Sequence, residues 1–139
     1  MTTNKWFIAS PGNMLRSLDI VRITVALVLL VHGAHGVFNP DAMNGFGEFL
    51  DSLGFPFGVG VAWAVVVLQV LCSAALLLRR LVVPACLGHL LVLGTGVWTD
   101  HARHGWFVVG PGENGVEYSL TLIACLVAVL LAYWPRKQG

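Results

Sequence analysis

Charge is scarce in this sequence. Only 11% of its 139 residues are Asp, Glu, Lys or Arg, and the formal net charge is +1. A soluble domain of this length carries roughly twice that share of charge. With no basic stripe and no zinc-finger spacing, nothing favours nucleic acid as a partner. Cysteine is sparse too: Cys72, Cys86 and Cys125 each sit inside an apolar run, and none forms a C-x-x-C. An odd number of thiols in apolar helices argues against a disulfide framework. They read as small packed hydrophobes, with a Cys72–Cys86 redox pair across a hairpin as the alternative. The chain also lacks the C-x-x-C-H haem site, iron–sulfur spacing, nucleotide fingerprint and H-E-x-x-H metal motif. No small-x-small cleavage site follows the first apolar run, which ends in "HGAHGVFNP". That run reads as a retained helix rather than a leader.

Apolar sequence fills the space that charge leaves. The chain is 57% hydrophobic, and its mean hydropathy is strongly positive. Crossing a bilayer takes about 20 mostly apolar residues. Four stretches qualify, at approximately 18–38, 57–78, 81–99 and 117–134. Each must be helical, because a lone strand in lipid leaves its backbone groups unpaired. The expected fold is therefore all-α: one transmembrane domain over 1–139, built as an antiparallel four-helix bundle. The short Arg79-Arg80 connection makes the second and third spans antiparallel neighbours.

Positive charge predicts the orientation. Lys5, Arg16 and Arg22 precede or open the first span, Arg79 and Arg80 join the second to the third, and Arg136 and Lys137 follow the fourth. The first outer segment has no Lys or Arg, and the second has only Arg103. Under the positive-inside rule both termini are cytoplasmic. Trp63, Trp98 and Tyr118 then mark the outer boundary and Tyr133 and Trp134 the inner one, as aromatic belts do. Between the first two spans, Met43, Phe46, Phe49, Leu50 and Leu53 recur at helical spacing, with Asp41, Glu48 and Asp51 among them. This predicts a short amphipathic helix on the membrane surface or capping the bundle. Gly54 would end it and Pro56 would open the second span.

Polar residues in these runs are the candidates for function. Gln69 and His89 both lie roughly 12–14 Å from the Arg79-Arg80 turn at 1.5 Å rise per residue. They are expected to face each other, as an interhelical hydrogen bond or around a ligand, because intramembrane polar groups face the bundle interior. Asp19 and Arg22, three apart, predict a local ion pair. His32 and His35 share a face at the outer end of the first span, and His101 and His104 repeat that spacing after the third. Neutral imidazole is a metal ligand, so His32 and His35 are weak metal candidates, with interfacial hydrogen bonding as the ordinary alternative. Asn114 and Glu117 have the spacing of a capping box. "GPGE" reads as a type II turn with Pro111 second and Gly112 third. Gly33, Gly36, Gly88, Gly94 and Gly96 suit close helix packing.

The segments "HGWFVVGPGENGVEYSLTLI" and "GFGEFLDSLGFP", with Ala62-Trp63, resemble the DoxX family of small bacterial membrane proteins. Gly-Trp-Phe and Asn-Gly-x-Glu-Tyr-Ser are the most specific parts. The resemblance implies four helices in the bacterial inner membrane. It also implies an association with quinone-linked redox systems, since related proteins are subunits of a thiosulfate:quinone oxidoreductase. His101, Trp106, Asn114, Glu117 and Tyr118 correspond to the family's polar outer cluster. Where the family often carries Glu in the second span, this chain has Gln69, which weakens a proton relay there.

Two functions follow as expectations. In the first, the chain is a subunit of a quinone-linked membrane redox system. His101 and Glu117 exchange protons, because histidine titrates near neutral pH. Trp106 and Tyr118 stack on the ligand ring, and His104, Asn114, Gln69 and His89 complete the binding set. A membrane or peripheral partner brings the electrons. In the second, the chain is a non-catalytic assembly, carrier or regulatory component. Lipid is a partner in both, and a second copy of the chain is a further one.

Overall fold

The computed structural model describes residues 11–135. Lys5, Arg136 and Lys137, on which the predicted orientation also draws, lie outside the described residues. The described chain is helical throughout: α1 (Pro11–Phe38), α2 (Pro40–Ser52), α3 (Gly58–Leu77), α4 (Val82–Thr99), a 3-10 turn (His101–His104) and α5 (Glu117–Tyr133). Among the described residues there is no strand.

Local chemistry sets the boundaries. Asn39 precedes Pro40, and a residue before proline is pushed out of the helical region; its φ of −130° and ψ of 78° end α1. Asn39 Nδ2 also donates to His35 O at 2.7 Å, satisfying a carbonyl orphaned at the helix end. Pro40 then suits the first turn of α2, where no N–H is required. Gly54, at φ +88°, closes α2 in a Schellman motif: Phe55 N–H donates to Leu50 O and Gly54 N–H to Asp51 O. Pro56 does not open α3. The helix starts at Gly58, after a left-handed Phe57.

The same Schellman geometry ends α3, with Arg80 N–H on Ala75 O and Arg79 N–H on Leu76 O. Here the left-handed residue is Arg79, at φ +56°, a conformation that costs a non-glycine roughly 1 kcal/mol. Its side chain offsets that cost: Nη1 lies 3.6 Å from Asp19 Oδ2, and the guanidinium sits over the Tyr133 ring.

α1 and α4 do not approach closely through their backbones; each packs against α3 and α5, closing a ring in the order α1–α3–α4–α5, with α2 laid on α3 beside α1. α2 buries Met43, Gly47 and Leu50 and exposes Asp41, Asn44 and Glu48. It docks where two glycines meet. A Cβ on Gly58 would fall 2.0 Å from Gly47 O, so nothing larger fits. Asp51 Oδ1 accepts the Gly58 N–H at 2.8 Å, capping α3 from outside. Gly33, Gly36 and Gly88 also sit at helix contacts, whereas Gly94 faces open space and does not serve packing.

Large apolar side chains are exposed on the outside of the bundle, and several polar ones are buried within it. Val31, Leu71, Leu91 and Leu131 are each more than 60% exposed, while Arg22, Gln69, Ser73, His89 and Ser119 are buried. α3 and α4 are long and apolar enough to cross a membrane, and α5 is shorter and apolar. The apolar core lies toward the Arg79-Arg80 end, around Leu29, Leu76, Cys86 and Leu126. Cys72, Cys86 and Cys125 are free thiols.

Candidate functional site

Three polar groupings stand on this frame. The first is the loop from Asp100 to Glu117, and Asp100 is its centre. His104 Nε2 lies 3.1 Å from Asp100 Oδ1, and Asn114 Nδ2 donates to Asp100 Oδ2 at 2.7 Å. His101 Nδ1 lies 3.0 Å from Asn114 O. Asn114 is therefore not an N-cap, and the expected capping box does not form. Its side chain is taken by Asp100, its φ is +56°, and Val116 precedes α5 without a side-chain cap. Glu117 instead accepts the Val108 N–H on Oε1 at 2.9 Å, while its own N–H donates to Trp106 O. The carboxylate thus ties the loop down rather than closing a cap. A Cβ on Gly115 would meet Trp106 backbone at 2.5 Å, which is why this crossing needs glycine. The expected type II turn is displaced as well: the left-handed residue is Gly110, at φ +89°, and not Gly112.

His101 and Glu117 share no hydrogen bond; each holds a different part of the loop. Glu117 also borders a shallow groove with Trp106, Tyr118 and Thr121. Trp106 and Tyr118 are both more than half exposed.

The second grouping lines an open cavity of about 610 Å³ bordered by all five helices. This volume is in the range of small-molecule sites, which are mostly apolar with a few placed polar groups. Val28, Leu29, Phe46, Val66 and Leu122 form apolar wall. The polar lining residues include His32, His35, Thr99, Asp100 and Tyr118 near the α1–α2 and α4–α5 connections, together with Gln69 and Ser119. His35 Nδ1 is 3.2 Å from Asn39 Nδ2. His32 has no hydrogen-bond partner among the described residues. Nor do three His, Cys, Asp or Glu side chains gather there around a metal-sized point. Sequence reasoning missed Asp100, Thr99 and Ser119 as lining residues. The signal was available for Asp100, the carboxylate at the C-terminal end of α4 and next to His101.

Gln69 and His89 are both buried, but Gln69 packs against Gly33 of α1. Their expected pairing is not the bond that forms. His89 Nε2 lies 3.2 Å from Ser73 Oγ, one turn along α3 from Gln69, and only Gln69 of the two lines the cavity.

The third grouping lies at the opposite end. Arg22 Nε donates to Asp19 Oδ1 at 3.1 Å, as the spacing predicts. Its Nη1 also donates to Leu76 O and lies 3.5 Å from Leu77 O. A cation on carbonyls at a helix C-terminus is favoured by hydrogen bonding and by the helix dipole. Tyr133 Oη donates to Asp19 Oδ1 at 2.9 Å.

The DoxX family model matches residues 17–102, more than half of the chain. The chain belongs to the DoxX family. No curated protein and no solved structure matches it. The DoxX match takes in most of α1, all of α2 to α4, and His101. It stops before Trp106, Asn114, Glu117 and Tyr118, so the Gly-Trp-Phe and Asn-Gly-x-Glu-Tyr-Ser segments that looked most specific lie beyond it. DoxX membership and the apolar helices make this a membrane protein.

Proposed function

We propose that this DoxX protein is a subunit of a quinone-linked redox system in the bacterial inner membrane, holding a quinone-like amphipathic molecule in its five-helix cavity. In this reading α1, α3, α4 and α5 all cross the bilayer, forming one four-span domain. α2 is the amphipathic helix at the outer interface, and both termini are cytoplasmic. The cavity carries the reading: its walls are largely apolar and carry a few polar groups. A quinone has that shape, a ring bearing neutral oxygens on an apolar tail. The residues present fit it: Gln69 and His32 would meet ring oxygens and Tyr118 would flank the ring. When bound, a quinone supplies coupled electron and proton transfer. This chain's own part is to bind and orient it, with His101 and Glu117 as proton-exchanging groups at the outer surface and a partner protein as the electron source.

A second reading is favoured by the commitment of His101 and Glu117 to loop contacts. In it the protein carries or assembles and runs no reaction of its own. The deciding experiment is purification in mild detergent, followed by solvent extraction and identification of co-purifying proteins. The first reading expects a quinone at near-stoichiometric amount, lost in a Leu122→Trp variant that fills the cavity. A quinone-free protein attached to another membrane enzyme establishes the second.

A further inference from the structure

Among the buried polar side chains, Gln69 and Ser119 both line the cavity without a side-chain hydrogen bond among the described residues, and Gln69 has the larger polar group. Arg22 has Asp19 and two carbonyls, and Ser73 and His89 have each other. Gln69 is 5% exposed and has no hydrogen-bond partner among the described residues. It sits mid-helix in α3 between Leu68 and Val70. Its side chain lines the cavity. An amide carries two donor hydrogens and an acceptor oxygen. Leaving them unmet in an apolar interior is unfavourable, and native proteins rarely do so without a reason. Helix packing fixes this position: a Cβ on Gly33 of α1 would stand only 3.2 Å from Gln69 Cβ.

The charge around it narrows the ligand. No Lys or Arg lines the cavity, and its one carboxylate, Asp100, is at the rim and bonded to Asn114 and His104. A carboxylate or phosphate head would find no cation there. A buried ammonium would find no free anion. We propose that Gln69 is the specificity-determining residue of this cavity, and that it reads a single uncharged oxygen, carbonyl or hydroxyl, on an apolar body. Because an amide both donates and accepts, it serves the ketone and the hydroxyl form of one molecule by turning about its terminal bond. A carboxylate at the same position would serve the hydroxyl form alone. This rests on the cavity being the ligand site proposed above.

The test uses the full chain in detergent, with tryptophan fluorescence and calorimetry as readouts. The probes are a decyl-benzoquinone, its quinol, 2-undecanone, decylbenzene and decanoate. Gln69→Leu and the closer isostere Gln69→Met are compared with wild type. The oxygen-bearing neutral probes should weaken by on the order of tenfold in both variants, the cost of one lost buried hydrogen bond. Decylbenzene binding should be unchanged, and decanoate should not bind. The ligand-free variants should also melt higher than wild type, because an unpartnered amide has been removed. A lower melting temperature would mean that Gln69 holds the fold together, and would overturn the proposal. So would equal binding of all neutral probes in wild type and variants. If 2-undecanone binds through Gln69 and the quinone does not, the proposal stands and the quinone reading falls. If quinone binds and is lost in Leu122→Trp yet ignores Gln69, the quinone reading stands and this one falls. Should no probe bind, both fall.

Discussion

Ser73 Oγ and His89 Nε2 meet 3.2 Å apart in the middle of the α3–α4 hairpin. Both residues are at most 1% exposed. This contact ties the two helices at a level where neither has water to turn to. Interhelical hydrogen bonds of this kind measure about 0.6 kcal/mol on average and up to roughly 1.7 in membrane bundles. A double-mutant cycle on Ser73→Ala and His89→Leu, read by unfolding in mixed micelles, should give a coupling near the upper end. Strict additivity would mean that the contact contributes nothing.

The Arg22 network should be stronger than any single bond in it. Arg22→Met removes the ion pair to Asp19 and strips the donor from the last carbonyls of α3. A charge-assisted hydrogen bond is worth about 1.5–3 kcal/mol, and Arg22 is buried. Tyr133→Phe should cost less, about 1 kcal/mol, because Asp19 is partly exposed and water can replace the phenol. Chemical denaturation of both variants checks the order. A Tyr133 variant less stable than the Arg22 one would refute it.

Two glycines of α2 should behave oppositely. Gly47 abuts Val59, with a Cβ placed 2.7 Å from its backbone, while a Cβ on Gly45 would meet nothing within 4 Å. Gly45→Ala should stabilise by up to about 1 kcal/mol through helix propensity alone. Gly47→Ala should lift α2 off α3, speed proteolysis across 39–57 and open the cavity wall that Phe46 and Leu50 supply. Equal protease resistance in the two variants would show that α2 is not seated by this contact.

Glu117 should protect one amide. Its Oε1 accepts the Val108 N–H, so Glu117→Ala should accelerate hydrogen exchange at Val108. Glu117→Gln keeps an acceptor oxygen and should leave exchange near wild type. That pair separates the loop-holding role from the charge. If Glu117→Gln keeps Val108 protected yet abolishes quinone retention, the ionised carboxyl has the chemical task proposed for it.

Orientation is checked by cysteine labelling in intact cells, in a background with Cys72, Cys86 and Cys125 replaced by alanine. A membrane-impermeant maleimide should modify Glu113→Cys in the outer loop and spare Arg80→Cys in the α3–α4 turn. The reverse pattern would invert the bundle and move the His32 end of the cavity to the cytoplasm.

Helix positions were largely legible in the sequence because long apolar runs leave the backbone little choice. The expected 57–78, 81–99 and 117–134 correspond to Gly58–Leu77, Val82–Thr99 and Glu117–Tyr133, and α1 starts earlier than expected, at Pro11. The polar contacts were less legible. Asp19–Arg22 is a local pair set by helical spacing, and it formed. Gln69–His89 matched in depth, but depth does not fix rotation about a helix axis, and Ser73 holds His89 instead. The Asn114–Glu117 spacing suited a capping box, yet Asp100, fourteen residues before Asn114 in the chain, took its side chain.

By itself, then, the amino-acid order determined a lipid-facing set of helices, their approximate limits and the uneven placement of positive charge. These follow from hydrophobicity and backbone hydrogen bonding, which act along a single segment. Only the tertiary structure decided that α1 and α4 stand apart, that a cavity lies among the five helices, and that Gln69 faces it without a partner. Those facts depend on how the helices rotate and splay against one another, which is set by side chains meeting from segments distant in sequence.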